Sequence, residues 1–210
     1  MDKDIKIGKM TIGVCMTNTY FIYRDSTKEA IVVDPADKGA MIYDKLTKAG
    51  LTIKAVLLTH GHFDHIWGVE ELVKLSGAKI YACEEERDFL TNLNKNLSGA
   101  YDRPCKVVAD VYLKDGEVIN ECGMQIDLIH TPGHTEGGCC YYIKDAGFLI
   151  SGDTLFQESV GRSDFPTGSM STLVRSIKDK LLVLPDDTKV YPGHGAPTTI
   201  GEEKEYNPFL

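Results

Sequence analysis

The chain has no apolar run approaching the roughly 20 residues that cross a bilayer, so no transmembrane helix is expected. Its opening residues, Met1-Asp2-Lys3-Asp4, lack the basic start and apolar stretch of a signal peptide, and a cytoplasmic location is the expectation. Positive charge is in deficit: 23 Lys and Arg stand against 31 Asp and Glu, a net charge of −8. Binding to a nucleic-acid backbone needs a basic surface, so nucleic acid is excluded as the main partner. An anionic small molecule is not excluded, because a bound cation locally reverses the field. The six cysteines lie scattered at 15, 83, 105, 122, 139 and 140, which suits free thiols better than a disulfide framework. The adjacent Cys139 and Cys140 fall in a strand-like run, where packed strand residues are expected rather than a redox pair. Repeats and low-complexity segments are also missing. What remains is an ordinary globular composition, 42% hydrophobic and 26% charged, in 210 residues: enough for one sizeable domain, 1–210.

Strand-like stretches open the chain at Ile5–Ile12, Thr19–Tyr23 and Ala30–Val33, the last ended by the turn signal Asp34-Pro35. Met41, Ile42, Leu46 and Ala49 recur at helical spacing up to Gly50. Ala55–Leu58 is a short continuous apolar run, the mark of a strand buried on both faces. Val69, Leu72, Val73 and Leu75 mark another helix, Lys79–Ala82 a strand, and Glu84–Leu90 a helix. The acidic run Glu84-Glu85-Glu86 reads as the solvated start of that helix. Residues 91–116 are irregular and suit a flap over one edge. Strands then follow at Val118–Ile119, Met124–Ile129, Cys139–Ile143 and Phe148–Ile150. A Gly- and Pro-punctuated loop covers 154–168. A helix through Leu173, Ile177, Leu181 and Leu182, a strand at Lys189–Tyr191 and a short acidic helix complete the chain. Two mixed sheets packed on each other with helices outside, an αββα sandwich of the α/β class, satisfy this order; a doubly wound parallel sheet is the alternative.

The densest chemistry follows the buried strand. Thr59-His60-Gly61-His62-Phe63-Asp64-His65 puts four side chains of metal-ligand type within six residues, with the next helix expected near Ile66. Three more candidates also follow strands beside glycine: His134 in Thr131-Pro132-Gly133-His134-Thr135, Asp153 in Gly152-Asp153-Thr154, and His194 in Pro192-Gly193-His194-Gly195. Scattered surface or core histidines do not gather at strand ends in this way, so the pattern points to a metal centre. Imidazole and carboxylate suit zinc, iron or manganese. The sixth histidine, His130, adjoins this set without being needed by it, and a supporting role is expected.

These residues resemble the metallo-β-lactamase superfamily. His60-Gly61-His62-Phe63-Asp64-His65 matches its H-x-H-x-D-H signature, and His134, Asp153 and His194 match its later ligands in order across essentially the whole chain. Thr131–Thr135, Ser151–Phe156, Val160–Phe165, Pro192–Gly195 and the ending Asn207-Pro208-Phe209 resemble the glyoxalase II branch, in particular its short single-domain bacterial hydrolases. The resemblance implies two divalent metal ions, zinc first, with iron or manganese also suited. It places one with His60, His62 and His134, the other with Asp64, His65 and His194, and Asp153 between them, so that Asp64 and Asp153 are catalytic as well as metal-binding. It implies hydrolysis of a small-molecule thioester, of the hydroxyacylglutathione type, by a hydroxide shared between the ions.

Arg162 matches a basic position that touches the thiol carrier in glyoxalase II, although Asp164 stands where an aromatic is expected and offers Arg162 an ion pair instead. Phe156, Phe165 and Tyr101 are candidates for the cleft wall. Only 16 residues follow His194, so the helical domain that recognises glutathione in glyoxalase II is not expected. Two alternatives remain: a mononuclear iron persulfide dioxygenase, which shares the Gly-Arg-x-Asp-Phe stretch at 161–165, and a metal-binding scaffold without catalysis.

Overall fold

The computed structural model describes residues 2–210. Two six-stranded mixed sheets pack face to face. The first contains β1 (Ile5–Ile12), β2 (Thr17–Arg24), β3 (Glu29–Val33), β4 (Thr52–Leu57), β5 (Lys79–Cys83) and β6 (Val111–Leu113), in that spatial order. β1 to β3 are antiparallel neighbours, and β3 to β6 run parallel. The parallel pairs need crossovers, supplied by α1 (Gly39–Lys48), by α2 (Phe63–Ile66) with α3 (Val69–Ser76), and by residues 84–110. The second sheet contains β7 (Val118–Glu121), β8 (Met124–His130), β9 (Cys139–Ile143) and β10 (Phe148–Gly152) as antiparallel neighbours. The hairpin β11 (Leu155–Phe156) and β12 (Ser159–Val160) leaves it, and β13 (Lys189–Pro192) returns parallel to β10 with β14 (Thr198–Thr199) beyond. α4 (Arg87–Thr91) follows β5; α5 (Met170–Ser176) and α6 (Ile200–Tyr206) flank the second sheet.

Strand alternation divides the apolar residues into three layers. Ile31, Val33, Ala55 and Leu57 face the second sheet, where they meet Ile126, Leu128, Tyr141 and Ile150. Val32, Ile53 and Val56 face outward against Ile42 and Leu46 of α1 and Leu72 of α3. Cys140, Tyr142 and Val190 meet Leu173, Ile177 and Ile200 on the far side. Each fully buried aliphatic side chain contributes roughly 1.5–3 kcal/mol. The same alternation puts Cys139 in the inter-sheet core and Cys140 on the helix side, so the two thiols point to opposite faces. This is the expected αββα sandwich, not a doubly wound sheet.

Several expectations change, among them the 154–168 loop, which contains the β11–β12 hairpin. α2 begins at Phe63, so Asp64 and His65 are helical rather than preceding the helix. Residues 84–90 form a 3₁₀ turn, Glu84–Glu86, followed by the start of short α4. Glu86 is not solvated: it is 1% exposed, with its side chain turned inward under the loop after β4. The irregular 91–116 segment also supplies an edge strand, β6. No helix among the described residues is long and apolar enough to cross a membrane.

Candidate metal centre

All seven candidate ligands lie beyond the carboxyl ends of β4, β8, β10 and β13, the last two being parallel neighbours. β4 runs into Thr59 and His60. Asp34, at the end of neighbouring β3, accepts from Thr59 N at 2.8 Å and from Thr59 Oγ1 at 2.6 Å, which fixes where that loop departs. His62 precedes α2, and one turn of helix carries Asp64 and His65 back toward it. His134 follows β8 through a glycine turn, Asp153 directly follows β10, and His194 follows β13. Gly193 is required there: a Cβ on it would lie 2.2 Å from Asp153 Oδ1 and 2.7 Å from His65 Cε1.

The side chains converge in two overlapping groups. His60, His62 and His134 offer nitrogens within 4.8 Å of one another, and so do ligand atoms of Asp64, His65 and His194. Asp153 touches both groups. Its Oδ1 is 3.4 Å from His65 Nε2, and its Oδ2 is 3.4 Å from His194 Nε2 and 3.7 Å from His134 Nε2. Asp64 Oδ2 lies 3.4 Å from His194 Nε2 and accepts from Thr17 Oγ1 at 2.7 Å.

Neighbouring groups orient the rings. His65 Nδ1 lies 2.9 Å from Asp34 Oδ2, and His134 Nδ1 lies 2.7 Å from the carbonyl of Arg162. Each contact holds a proton on Nδ1, so that Nε2 is the nitrogen turned to the cluster. Electrostatics divide the cluster. Burial, reinforced by the other rings, holds His60 well below the ordinary imidazole value; burial and facing His134 bring His62 down to about 3. Burial opposes charge on His65 as well, yet Asp153, Asp64 and Asp34 hold it well above the ordinary value. His194 is raised to about 9 because its bonds to Asp153 and Asp64 outweigh burial. Asp153 lies well below the carboxylate range because His65 and His194 outweigh burial. One side therefore presents neutral rings ready to ligate, and the other holds protons that a cation would displace.

The fit to a cation rests on unpartnered atoms. Among the described residues, four buried side-chain polar atoms lack a hydrogen-bond partner: His60 Nε2, His62 Nε2, His65 Nε2 and Asp153 Oδ1. All four belong to this cluster. Leaving such a group unpaired costs roughly 1–3 kcal/mol, and divalent cations held by the two groups would satisfy those of His60, His65 and Asp153; His62 instead turns Nδ1 to the cluster, 2.9 Å from His134 Nε2. The N/O donor set suits zinc, iron or manganese.

The cluster opens into a cleft of about 400 Å³, walled by Phe63, Leu97, Ala100, Tyr101 and Phe165. Tyr101 and Phe165 stand where the cleft wall was expected. Phe156 is not in that wall but lies 6.3 Å from the His194 ring. Arg162 reaches the cleft, but its guanidinium is held by Asp164 through two 2.7 Å bonds and lies 3.8 Å over the Phe165 ring. The His130 ring bonds the Glu136 carbonyl at 2.9 Å and groups with Cys83 and Glu85, away from the seven ligands. Asp34 and the Arg162 carbonyl are the orienting groups that motif reading missed. Asp34 carried no local signal beyond that of a carboxylate ending a strand; its place beside β4 comes from the sheet pairing.

A family model described as the metallo-β-lactamase superfamily matches residues 12–194. The chain is similar to the hydroxyacylglutathione hydrolase GloC of Haemophilus influenzae, at 35% identity over 89% of each chain. Its structure is similar to that of the BLEG-1 B3 metallo-β-lactamase, with a TM-score of 0.92 and 37% identity over 98% of this chain and 99% of that one. It is also similar to TTHA1623 in a di-iron-bound form, with a TM-score of 0.86 and 31% identity over 97% and 100%. With ligand spacing, sheet topology and these similarities in agreement, the chain belongs to the metallo-β-lactamase superfamily.

Proposed function

We propose that residues 1–210 act as a single metal-dependent hydrolase domain that cleaves a thioester of the hydroxyacylglutathione type. His60, His62 and His134 would hold one divalent ion and Asp64, His65 and His194 a second, with Asp153 between them; zinc is the first expectation. The observation that carries this reading is Asp153, whose two oxygens reach His65 on one side and His194 and His134 on the other. The similarity to GloC supports the substrate class.

When bound, such ions supply Lewis acidity, lowering the pKa of water and polarising a carbonyl. The chain's own groups do the rest. Asp34 Oδ2 holds the His65 Nδ1 proton, and the Arg162 carbonyl holds that of His134, so neither ring can turn its lone pair away. Thr17 anchors Asp64 through Oδ2. Phe63, Leu97, Tyr101 and Phe165 give the cleft an apolar wall that excludes water around the acyl group. Arg162 is a candidate carrier contact, provided that a substrate carboxylate displaces Asp164 from it.

The stretch Gly161-Arg162-Ser163-Asp164-Phe165 favours a second reading, a mononuclear iron persulfide dioxygenase. The similarity to a B3 metallo-β-lactamase adds β-lactam hydrolysis as a third. One experiment separates them. Metal content is measured on protein purified without added metal, and the protein is then assayed for lactoylglutathione hydrolysis, for O2 uptake with glutathione persulfide, and for cleavage of a chromogenic cephalosporin. Two metals with thioester cleavage support the proposal. One iron with O2 uptake replaces it by the dioxygenase, and cephalosporin turnover without thioester cleavage by the lactamase. Bound metal without turnover in any of the three assays leaves a scaffold.

A further inference from the structure

Glu86 is a buried carboxylate that the proposed chemistry does not use. Its oxygens meet no cation among the described residues: the ion pairs there all lie elsewhere, and the nearby charge acting on it is Glu136, of the same sign. Neutral donors surround it instead. Oε1 accepts from Gly61 N at 2.8 Å, and Oε2 accepts from Thr135 Oγ1 at 3.1 Å. The Gly137 backbone N–H is the third donor. Gly137 must be glycine for this approach, since a Cβ there would lie 2.3 Å from Glu86 N and 2.5 Å from Glu86 Oε2. Burial without a cation is costly for a carboxylate, so this contact invites a reason.

The donors give one. Gly61 is the residue between His60 and His62, and Thr135 is the residue after His134. One carboxylate thus ties the first histidine loop, from the first sheet, to the second histidine loop, from the second sheet. We infer that Glu86 is a positioning residue for the three-histidine metal position, setting the separation of His60 and His62 from His134 through their backbones. This rests on the proposed metal reading. Asp64, His65 and His194 have no bond to Glu86, so its loss should fall mainly on the three-histidine position. A glutamine replaces the clamp only in part. If its Oε1 keeps Gly61 N–H, its NH2 can donate to the Thr135 hydroxyl turned to accept, but it faces the Gly137 N–H, so the second loop is pushed away from the first.

A second buried carboxylate serves as the control. Glu203 is also 1% exposed and also takes three donors, from Glu158 N, Thr198 Oγ1 and Asn207 Nδ2, but it ties α6 to the loop beyond β11 and touches no ligand loop. The test loads the metal-stripped full chain with Co(II), reading affinity by chelator competition and ligand geometry by visible absorption. In parallel it measures the thermal midpoint before loading. Glu86→Gln should weaken Co(II) at the three-histidine position at least tenfold and alter its spectrum, while the Asp64/His65/His194 position loses less. Glu203→Gln should lower the thermal midpoint with affinity and spectrum unchanged. Glu86→Asp, which keeps the charge but is too short to reach both loops, should fall between, and it serves if the glutamine variant does not fold. Wild-type affinity and spectrum in Glu86→Gln, or in Glu86→Asp, would overturn the inference. So would an equal affinity loss in Glu203→Gln. An unaltered chain that takes up no Co(II) overturns the metal reading itself, and the inference falls with it.

Discussion

Replacing Asp34 by asparagine removes one negative charge and exchanges one acceptor for a donor at a buried position. Oδ1 now accepts from Thr59 N, while Oδ2 accepts from Thr59 Oγ1 and holds the proton of His65 Nδ1. If the asparagine oxygen keeps Thr59 N–H, its NH2 faces the imidazole. Two donors cannot face each other, so His65 must shift its proton to Nε2. That nitrogen is the one left unpartnered toward Asp64 and Asp153, so the ring loses its ligating lone pair. A lost orienting partner typically lowers metal affinity 10–100-fold, or about 1.4–2.8 kcal/mol. Alanine acts differently. It strands up to three buried donors, at roughly 1–3 kcal/mol each, and should destabilise the fold itself by about 5 kcal/mol. Two measurements separate the effects: chelator competition for metal affinity, and denaturant unfolding of the metal-stripped protein. The expected pattern is an asparagine variant that folds near normally but binds metal at least tenfold more weakly, and an alanine variant impaired in both. Wild-type metal affinity in Asp34→Asn would refute the tautomer argument and leave Asp34 as a loop latch only.

Further substitutions test other parts of the centre. His134→Ala and Asp153→Ala should each lose metal and turnover together, read by elemental analysis beside the hydrolysis assay; unchanged metal content and turnover in either would remove that residue from the ligand set. Gly193→Ala should cost about 1–3 kcal/mol through overpacking and weaken metal binding as well, because its Cβ would come within 2.2 Å of Asp153 Oδ1; unaltered affinity would mean that the loop yields freely. Stability of the metal-stripped chain should depend on Glu86 and pH. Burial, and then Glu136, raise Glu86 from 4.5 to about 7 despite its three donors, so the folded state binds the extra proton. This favourable contribution is present below pH 4.5 and falls by about 3 kcal/mol as pH rises to about 7. Denaturant midpoints at pH 5 and 7.5 should therefore drop more in wild type than in Glu86→Gln, and equal drops would contradict the shift.

That the seven candidate residues gather in one place was legible in the sequence, because they fall in four short segments that each follow an apolar strand and contain a glycine. The layers were legible for the same reason. Alternation along Cys139–Ile143 already implies that the adjacent thiols face opposite ways. The supporting groups were not legible, because their roles depend on contacts between distant residues. Asp34-Pro35 reads as a turn, and nothing local ties it to Thr59 or His65, 25 and 31 residues on. Glu84-Glu85-Glu86 reads as one solvated run, because hydropathy cannot tell which glutamate turns inward. The start of α2 was misplaced because ligand residues, with neither capping nor amphipathic pattern, fill its first turn. Arg162 shows the limit of aligning a single position: its charge is present, but Asp164 two residues on already holds it.

The distribution of supporting contacts follows from where the candidate ligands come from. His60, His62, Asp64 and His65 arise from the first sheet, and His134, Asp153 and His194 from the second. The geometry of the centre is therefore the geometry between two sheets, and the apolar core between them is a weak ruler because its contacts are non-directional. Directional ties cross the gap at the ligand end. Tyr141 Oη donates to the Leu58 carbonyl at 2.8 Å, and Cys139 N donates to the Thr59 carbonyl at 2.9 Å, just before His60. Near His194, the Pro192 carbonyl accepts from Tyr20 Oη at 2.8 Å and from Asn18 Nδ2 at 3.0 Å, and the Gly193 carbonyl from Asn18 N at 2.7 Å. Glu86 adds the tie through Gly61, Thr135 and Gly137. Loops leaving a sheet expose backbone groups that need partners, and here those needs are met across the sheet boundary. The bonds that satisfy the loops also set the spacing of the ligands, so substitutions in them should uncouple metal affinity from overall stability, whereas substitutions in the apolar core should move stability first.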